Sequence, residues 1–284
     1  MRAAPAADTG IAARLELACR LALDTGRQAE AFRRTADPAA LAVSTKSLQD
    51  FVSAADRQSE QAIRTALADA FPQDGFLGEE TGGQPGPDGF WVVDPIDGTA
   101  NYIRGLRHWG VSIAFVRDGA VQLGCIYDAA GDRVYSALPG QGAFCGDRPV
   151  RVSGMADPTQ ALAIVGYSRR TPFEPYQALL ARLHELGIEY RRLGSAALGL
   201  VRVADGIADL YYEAHLNSWD ILAGALIAAE AGAHVAMPPL DRIIANGGAV
   251  AACTPGLAGT LGFLWEQLAE SPADGAQPEP TRTV

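Results

Sequence analysis

The apolar positions of this chain fall first into a helical period, then into strand periods, and finally into an alternation of the two. From Ile11 to about Arg34, the residues Ile11, Leu15, Leu17, Ala18, Leu21 and Leu23 recur at helical spacing behind Asp8-Thr9, which read as caps. A polar loop carrying Lys46 and Asp50 follows, and a second helix is predicted from about Ala54 to Phe71. "PQDG" then turns the chain into a short strand, "FLG", that ends at Glu79-Glu80, and "TGGQPGPDG" reads as an exposed loop. Strands are predicted in "FWVVD", in "GVSIAFVRDGAVQLGCIYDAA" with a hairpin turn at Arg117-Asp118-Gly119, and in "DRVYSALPGQGAFCG". After about Val152 the two periods alternate. "ALAIVGYS", "EYRRLG" and "IADLYYE" predict strands, while "EPYQALLARLHELG", "SAALGLVRVADG" and "SWDILAGALIAAEAG" predict helices. "GAVAACT" and "GLAGTLGFLWEQLA" close the fold. The pattern predicts an α+β lobe over residues 9–152, with helices on a largely antiparallel sheet, and an α/β lobe over 153–270. Residues 1–8 and 271–284, rich in Pro, Ala and small polar residues, are expected to be disordered ends.

Composition narrows the function more than the fold. A chain of 284 residues with 48% hydrophobic and 20% charged residues has the material for a large core. A formal net charge of −10 argues against a nucleic-acid footprint and against attraction to anionic membranes. An acidic protein that handles an anionic substrate needs local positive charge, which a metal ion commonly supplies. No apolar run approaches the roughly 18 residues of a membrane span, and "MRAAPAADTG" lacks the apolar segment of a signal peptide. Cys19, Cys125, Cys145 and Cys253 show no metal-ligand spacing, so reduced thiols in a cytoplasmic protein are expected.

Four acidic residues share one kind of context. Glu79, Asp94 and Asp97 follow short apolar strands, and Asp220 follows Trp219 at the start of an apolar helix. Strand ends and helix starts converge on crevices in α/β proteins. Four carboxylates in one crevice repel unless cations neutralise them, and hard oxygen ligands without His or Cys favour Mg²⁺ or Mn²⁺ over Zn²⁺. In "DPIDGT", Pro95 stiffens a turn, so that both aspartates and the Ile96 carbonyl can face one point. A helix starting at Gly98-Thr99 would offer unpaired N–H groups to a phosphate. Together these features point to metal-assisted phosphoryl hydrolysis, with one cation activating water and another holding the leaving oxygen. Taken singly, each has a plainer reading: a turn at "DPIDG", a solvated loop end at "GEE", a helix-start residue at Asp220.

"GEE", "WVVDPIDGTANY" and "SWDILAGALIAAEAG", with "KSLQDFVSAAD" upstream, resemble the signature segments of the inositol monophosphatase family in order and spacing. The similarity covers about residues 10–270. It implies a layered αβαβα sandwich of the inositol monophosphatase and fructose-1,6-bisphosphatase type, a homodimer, and two or three Mg²⁺ ions. Glu79, Asp94 and the Ile96 carbonyl would hold the first ion, and Asp94, Asp97 and Asp220 the second, with a weaker third near Glu79. Thr99, with Asp56, would orient the attacking water. The Gly98 and Thr99 amides would hold the phosphate, and Lys46 would add positive charge, although a solvated loop lysine is the plain alternative.

On the substrate side, "RRLGSAALGL" resembles the family's polyol-contacting segment, which points to Gly194, Ser195 and Ala196; Ser195 also reads as a helix N-cap. Glu213 matches a glutamate that hydrogen-bonds sugar hydroxyls. The chain departs from many relatives at "LNSW", where they carry His-Cys before the Trp-Asp, which leaves Asp220 intact and opens the question of substrate. His108 reads as packing, and Arg169-Arg170 as solvated residues that could reach a second phosphate. The resemblance implies a lithium-sensitive hydrolase of a small phosphorylated polyol, inositol 1-phosphate first. Histidinol phosphate, fructose 1,6-bisphosphate and 3′-phosphoadenosine 5′-phosphate are alternatives on the same fold. A regulatory protein acting on transcription complexes is an alternative of another class.

Overall fold

In the computed structural model, which describes residues 9–35, 44–47 and 50–270, the periodic segments become helices and the apolar runs become two large sheets. The first half comprises α1 (Thr9–Thr35), β1 (Ser44–Ser47), β2 (Asp50–Val52), α2 (Ala54–Ala70), β3 (Gly75–Gly78), β4 (Gly82–Gln84), β5 (Phe90–Asp97) and α3 (Thr99–Arg104). It continues through β6 (Gly110–Arg117), β7 (Ala120–Asp128), β8 (Arg133–Ala137), β9 (Ala143–Cys145) and β10 (Arg148–Val150). The second half holds β11 (Leu162–Val165), α4 (Phe173–Glu185), β12 (Glu189–Arg191), α5 (Ala196–Ala204), β13 (Leu210–Leu216) and α6 (Ser218–Glu230). The chain then forms β14 (His234–Ala236), α7 (Leu240–Asn246), β15 (Gly248–Cys253) and α8 (Gly262–Glu270).

An eight-stranded sheet runs in the order β10-β9-β8-β7-β6-β5-β3-β4, and a five-stranded sheet in the order β12-β11-β13-β15-β14. Only the β3–β5 pair is parallel in the first; β11 pairs in parallel with both β12 and β13 in the second. Alternate residues of each strand face different cores, as a pleated strand requires. Trp91, Val93, Ile113 and Phe115 pack under α1 and α2. Val92, Ala114 and Ile126 face the opposite way and share one core with α5, α6 and the inner face of the five-stranded sheet. Ala163, Leu210, Ala251 and Cys253 form a third core with α4 and α8. The layers are therefore α, β, α, β, α, the sandwich that the resemblance implied.

The middle layer explains the composition of its helices. All nine residues of α5 are buried, and α6 is apolar on every side because it lies between two sheets. Its small residues let a sheet come close: a side chain at Gly124 of β7 would meet the Ala223 backbone oxygen of α6 at 2.6 Å. Arg14 of α1 makes a fork to buried Asp74, at 2.6 and 2.8 Å, and Trp91 donates to the same carboxylate at 3.0 Å.

Several short elements escaped the reading of the sequence. The predicted polar loop over Lys46 and Asp50 contains the antiparallel pair β1–β2, and the predicted exposed loop after Glu80 contains β4. Strands β10 and β14 and helix α7 were also not expected. Strands of three or four residues span at most two full periods, and backbone pairing rather than apolar alternation defines them. The ends expected to be disordered, residues 1–8 and 271–284, lie outside the described residues. All four cysteines are free, and among the described residues no helix is long and apolar enough to cross a membrane.

Gly124→Val would force a branched side chain against helix backbone that cannot yield. We expect it to destabilise the fold by about 1–3 kcal/mol, read as a lower urea midpoint at unchanged slope. An unchanged midpoint would contradict the close β7–α6 approach.

Candidate active site

The parallel pairing of β3 and β5 places Gly78 opposite Val93, so the next residues, Glu79 and Asp94, lie side by side. The Glu79 amide donates to the Val93 carbonyl at 3.1 Å. In a regular strand, Asp94 and Asp97 would point to opposite faces, because three steps separate them. They do not diverge, because β5 carries an irregularity against β6: Asp94 faces Ser112 and Asp97 faces Gly110. Three steps on one strand match two on the other, so Pro95-Ile96 contains a β-bulge, a place where a sheet tolerates proline. This corrects the expected turn: the strand continues through Asp97, and the bulge aims both carboxylates the same way. The Ser112 hydroxyl donates to the Trp219 carbonyl at 2.8 Å and so pins the first turn of α6 against this edge. Oxygens of Asp94, Asp97 and Asp220 consequently lie within 4.8 Å of one another.

Each carboxylate is held by backbone. Asp94 Oδ1 accepts the Ile96 amide at 2.9 Å. Asp97 accepts the Ser195 hydroxyl and the amides of Ala196 and Ala197, at 3.2 and 2.8 Å, at the start of α5. Asp220 Oδ2 accepts the Asn217 amide at 2.7 Å at the start of α6. Burial pushes the Asp94 carboxyl well above the usual carboxylate range, and the negative charges of Glu79, Asp97 and Asp220 push it further. Asp220 is raised well above its ordinary value by burial and then by Asp97 and Glu79. Burial raises Asp97 as well, opposed by the Ser195 hydroxyl and the α5 amides.

Beside the cluster, the Thr99 hydroxyl lies 3.0 Å from Asp56 Oδ1 and 3.0 Å from the Ile96 carbonyl. A hydroxyl has one proton, so it donates to one of these acceptors at a time. Asp56 is buried in a capping box at the start of α2: its Oδ2 accepts the Ser53 amide at 2.8 Å and the Ser53 hydroxyl. Burial raises its carboxyl, and the Ser53 and Thr99 hydrogen bonds oppose the rise.

Two neighbouring cavities open next to these groups and share Ala100, Tyr167, Arg192, Glu213 and Leu216. The smaller, about 290 Å³, is lined by Asp97, Gly98, Thr99, Gly194, Ser195 and Ala196 among others. The larger, about 650 Å³, reaches Glu79 and Asp220. Gly98 stands at φ 94°, and a Cβ there would come within 3.0 Å of the Gly194 carbonyl. Ser195 is only 4% exposed and its hydroxyl is engaged by Asp97, so within this segment the exposed backbone is that of Gly194. Glu213 receives the Tyr211 hydroxyl at 2.8 Å, and burial lifts its carboxyl to about 7. Lys46 belongs to β1, but its side chain lies outside the described residues. The His108 ring is half-buried, and its pKa is lowered to about 4 by burial and by Arg202.

Sequence reasoning missed Asn101. Its amide donates to the carbonyls of His108 and Leu193, both at 2.7 Å, and fastens the "DPIDGT" segment to the segment that begins α5. Ser112 was missed too. Neither carries a signal in a single sequence, because each acts through a carbonyl brought from far along the chain.

The donor set suits a hard divalent cation. Oxygen ligands at about 2.1 Å from such an ion lie up to about 4.2 Å apart, so the three aspartates need only a small adjustment to share one. The charge of Glu79 acts on both Asp94 and Asp220.

The sequence model described as "Inositol monophosphatase family" matches residues 13–267. An inositol-1-monophosphatase SuhB of Mycobacterium tuberculosis is 39% identical over 249 residues, covering 83% of this chain and 86% of that protein. A Nus factor SuhB of Pasteurella multocida is 36% identical over 223 residues, covering 77% and 82% of the two proteins. The crystal structure of extragenic suppressor protein SuhB from Bartonella henselae superposes with a TM-score of 0.82 at 31% identity, over 92% of this chain and 100% of that one. Enzymes of this kind are generally metal-dependent and hydrolyse phosphate esters of small molecules. With a match that spans the sandwich from α1 to α8 and an aspartate cluster at its centre, the chain is a phosphoric monoester hydrolase that belongs to the inositol monophosphatase family.

Proposed function

We propose that the chain is a Mg²⁺-dependent, lithium-sensitive phosphatase of phosphorylated polyols, with inositol 1-phosphate as its reference substrate. The observation that carries this reading is the convergence of Asp94, Asp97 and Asp220 within 4.8 Å, beside Glu79 and the Thr99–Asp56 pair. Divalent cations held by Glu79, Asp94, the Ile96 carbonyl, Asp97 and Asp220 would supply Lewis-acid charge to the phosphoryl group and acidify water. The chain's own groups do the rest. With the Thr99 hydroxyl donating to Asp56, its oxygen would be left to accept a hydrogen bond from the attacking water. The Gly98 and Thr99 amides, at the start of α3, would donate to phosphate oxygens. Glu213 and the backbone at Gly194 line the space for the polyol.

Asp94→Asn tests the core of the reading. Removing a direct ligand should lower Mg²⁺-dependent phosphate release from inositol 1-phosphate by more than about 100-fold, beyond the loss typical of altering an outer-shell partner. Mg²⁺ should also raise the melting temperature of the wild type, and the variant should lose that gain. Without metal the variant should melt no lower than the wild type, because a buried like charge is gone. Near-normal turnover in folded Asp94→Asn would defeat the proposal.

Glu213 supplies a separate pH test. With its carboxyl at about 7, it is mostly protonated below neutrality and a full acceptor for polyol hydroxyls above it. KM for inositol 1-phosphate should therefore fall as pH rises from about 6 to 8, and Glu213→Gln should remove that limb. Equal pH profiles of KM in the two proteins would exclude Glu213 from polyol binding.

A further inference from the structure

The larger cavity has a wall that hydrolysis of a single phosphate does not use. Besides Glu79 and Asp220 it is lined by Arg169, Arg170 and Arg192, three guanidinium groups in a protein of net charge −10. Exposed arginines elsewhere in this half are paired with carboxylates, Arg182 with Glu185 and Arg191 with Glu189. Among the described residues, the three on the wall form no ion pair. Arg170 donates to the Asn217 side-chain oxygen at 3.0 Å, and Arg192 reaches the Tyr167 carbonyl at 3.5 Å. A guanidinium carries five N–H donors, so most of this capacity is open to the cavity.

The loop that presents the arginines is built rather than loose. Residues 166–172 connect β11 to α4. Ser168 organises their turn: its carbonyl accepts the Thr171 amide at 3.2 Å and hydroxyl at 2.9 Å, and its own hydroxyl accepts the Arg170 amide at 3.2 Å. Tyr167 then packs against Phe173 and Tyr176 of α4, with ring centroids 5.2 and 5.0 Å away. Asn217, the residue before α6 and three positions from Asp220, holds Arg170 through its side-chain oxygen. Arg170 and Asp220 are thus fixed to one helix start. The charges of Arg170 and Arg192 also act on Glu213, which lines both cavities.

Taking the phosphatase reading as its basis, we propose that Arg169, Arg170 and Arg192 form a subsite for a second phosphate of the substrate, so that the preferred esters are polyol bisphosphates. Guanidinium forks match phosphate oxygens in geometry and charge. In the same cavity Glu79 and Asp220 would be engaged by the cations that take the scissile phosphate, which leaves the three arginines as the cationic side chains for the second one.

Initial phosphate release with Mg²⁺ from inositol 1-phosphate and from inositol 1,4-bisphosphate tests this on one scaffold. The wild type should favour the bisphosphate in kcat/KM by about tenfold or more, the scale of one charge-assisted contact. Arg169→Ala/Arg170→Ala should collapse that ratio, and the paired lysine variant should restore part of it. The wild-type ratio should shrink as salt is raised, a measurement that needs no variant. A wild-type ratio near one, or a ratio unchanged in the alanine variant, overturns the subsite. An equal loss of both substrates in that variant also overturns it, since the arginines would then be merely structural. Release from neither ester by the wild type would instead bring down the phosphatase reading itself.

Discussion

Like charges held together out of water are the constraint around which this structure is arranged. Asp94 and Asp97 flank the bulge of one strand and Asp220 comes from a helix more than a hundred residues away, yet their oxygens meet within 4.8 Å. Such an arrangement is opposed by desolvation and by mutual repulsion. What offsets it before any cation arrives is backbone: the Ile96 amide for Asp94, the first amides of α5 for Asp97, and the Asn217 amide for Asp220. Helix starts carry partial positive charge, and two of the three aspartates sit on one, as Asp56 sits on a third.

The five-layer order explains how those helix starts reach the strand ends. Helices α5 and α6 lie between the sheets, where both of their faces are buried, and their alanines and glycines let the layers close to short distances. Their N-termini emerge at the edge where β3 and β5 end. A change deep in the middle layer therefore acts on the site by moving a helix start rather than by touching one of the aspartates.

Much of this was legible in the sequence. The apolar periods predicted the long helices and the two sheets, and Glu79, Asp94, Asp97 and Asp220 stood out because each ends or begins an apolar element. What could not be read was anything defined by pairing. The bulge at Pro95-Ile96 exists only relative to β6, so "DPID" looked like a turn. Asn101 and Ser112 act on carbonyls from distant segments, and Ser195 proved to be held by Asp97 in addition to capping α5. The positions of Arg169 and Arg170 needed the loop geometry that Tyr167 and Ser168 impose.

Asp56 illustrates how tightly such a site restricts its own chemistry. One of its oxygens serves the helix start at Ser53 and the other faces Thr99. An asparagine has the same outline but only one accepting end. Turned one way, its –NH₂ group would face the Ser53 amide; turned the other, it would drive the Thr99 proton to the Ile96 carbonyl and end the Thr99 donation to this position. Shape alone therefore does not define what this position tolerates. It requires a group that accepts in two directions at once, which the ionised carboxylate does without having to choose an orientation.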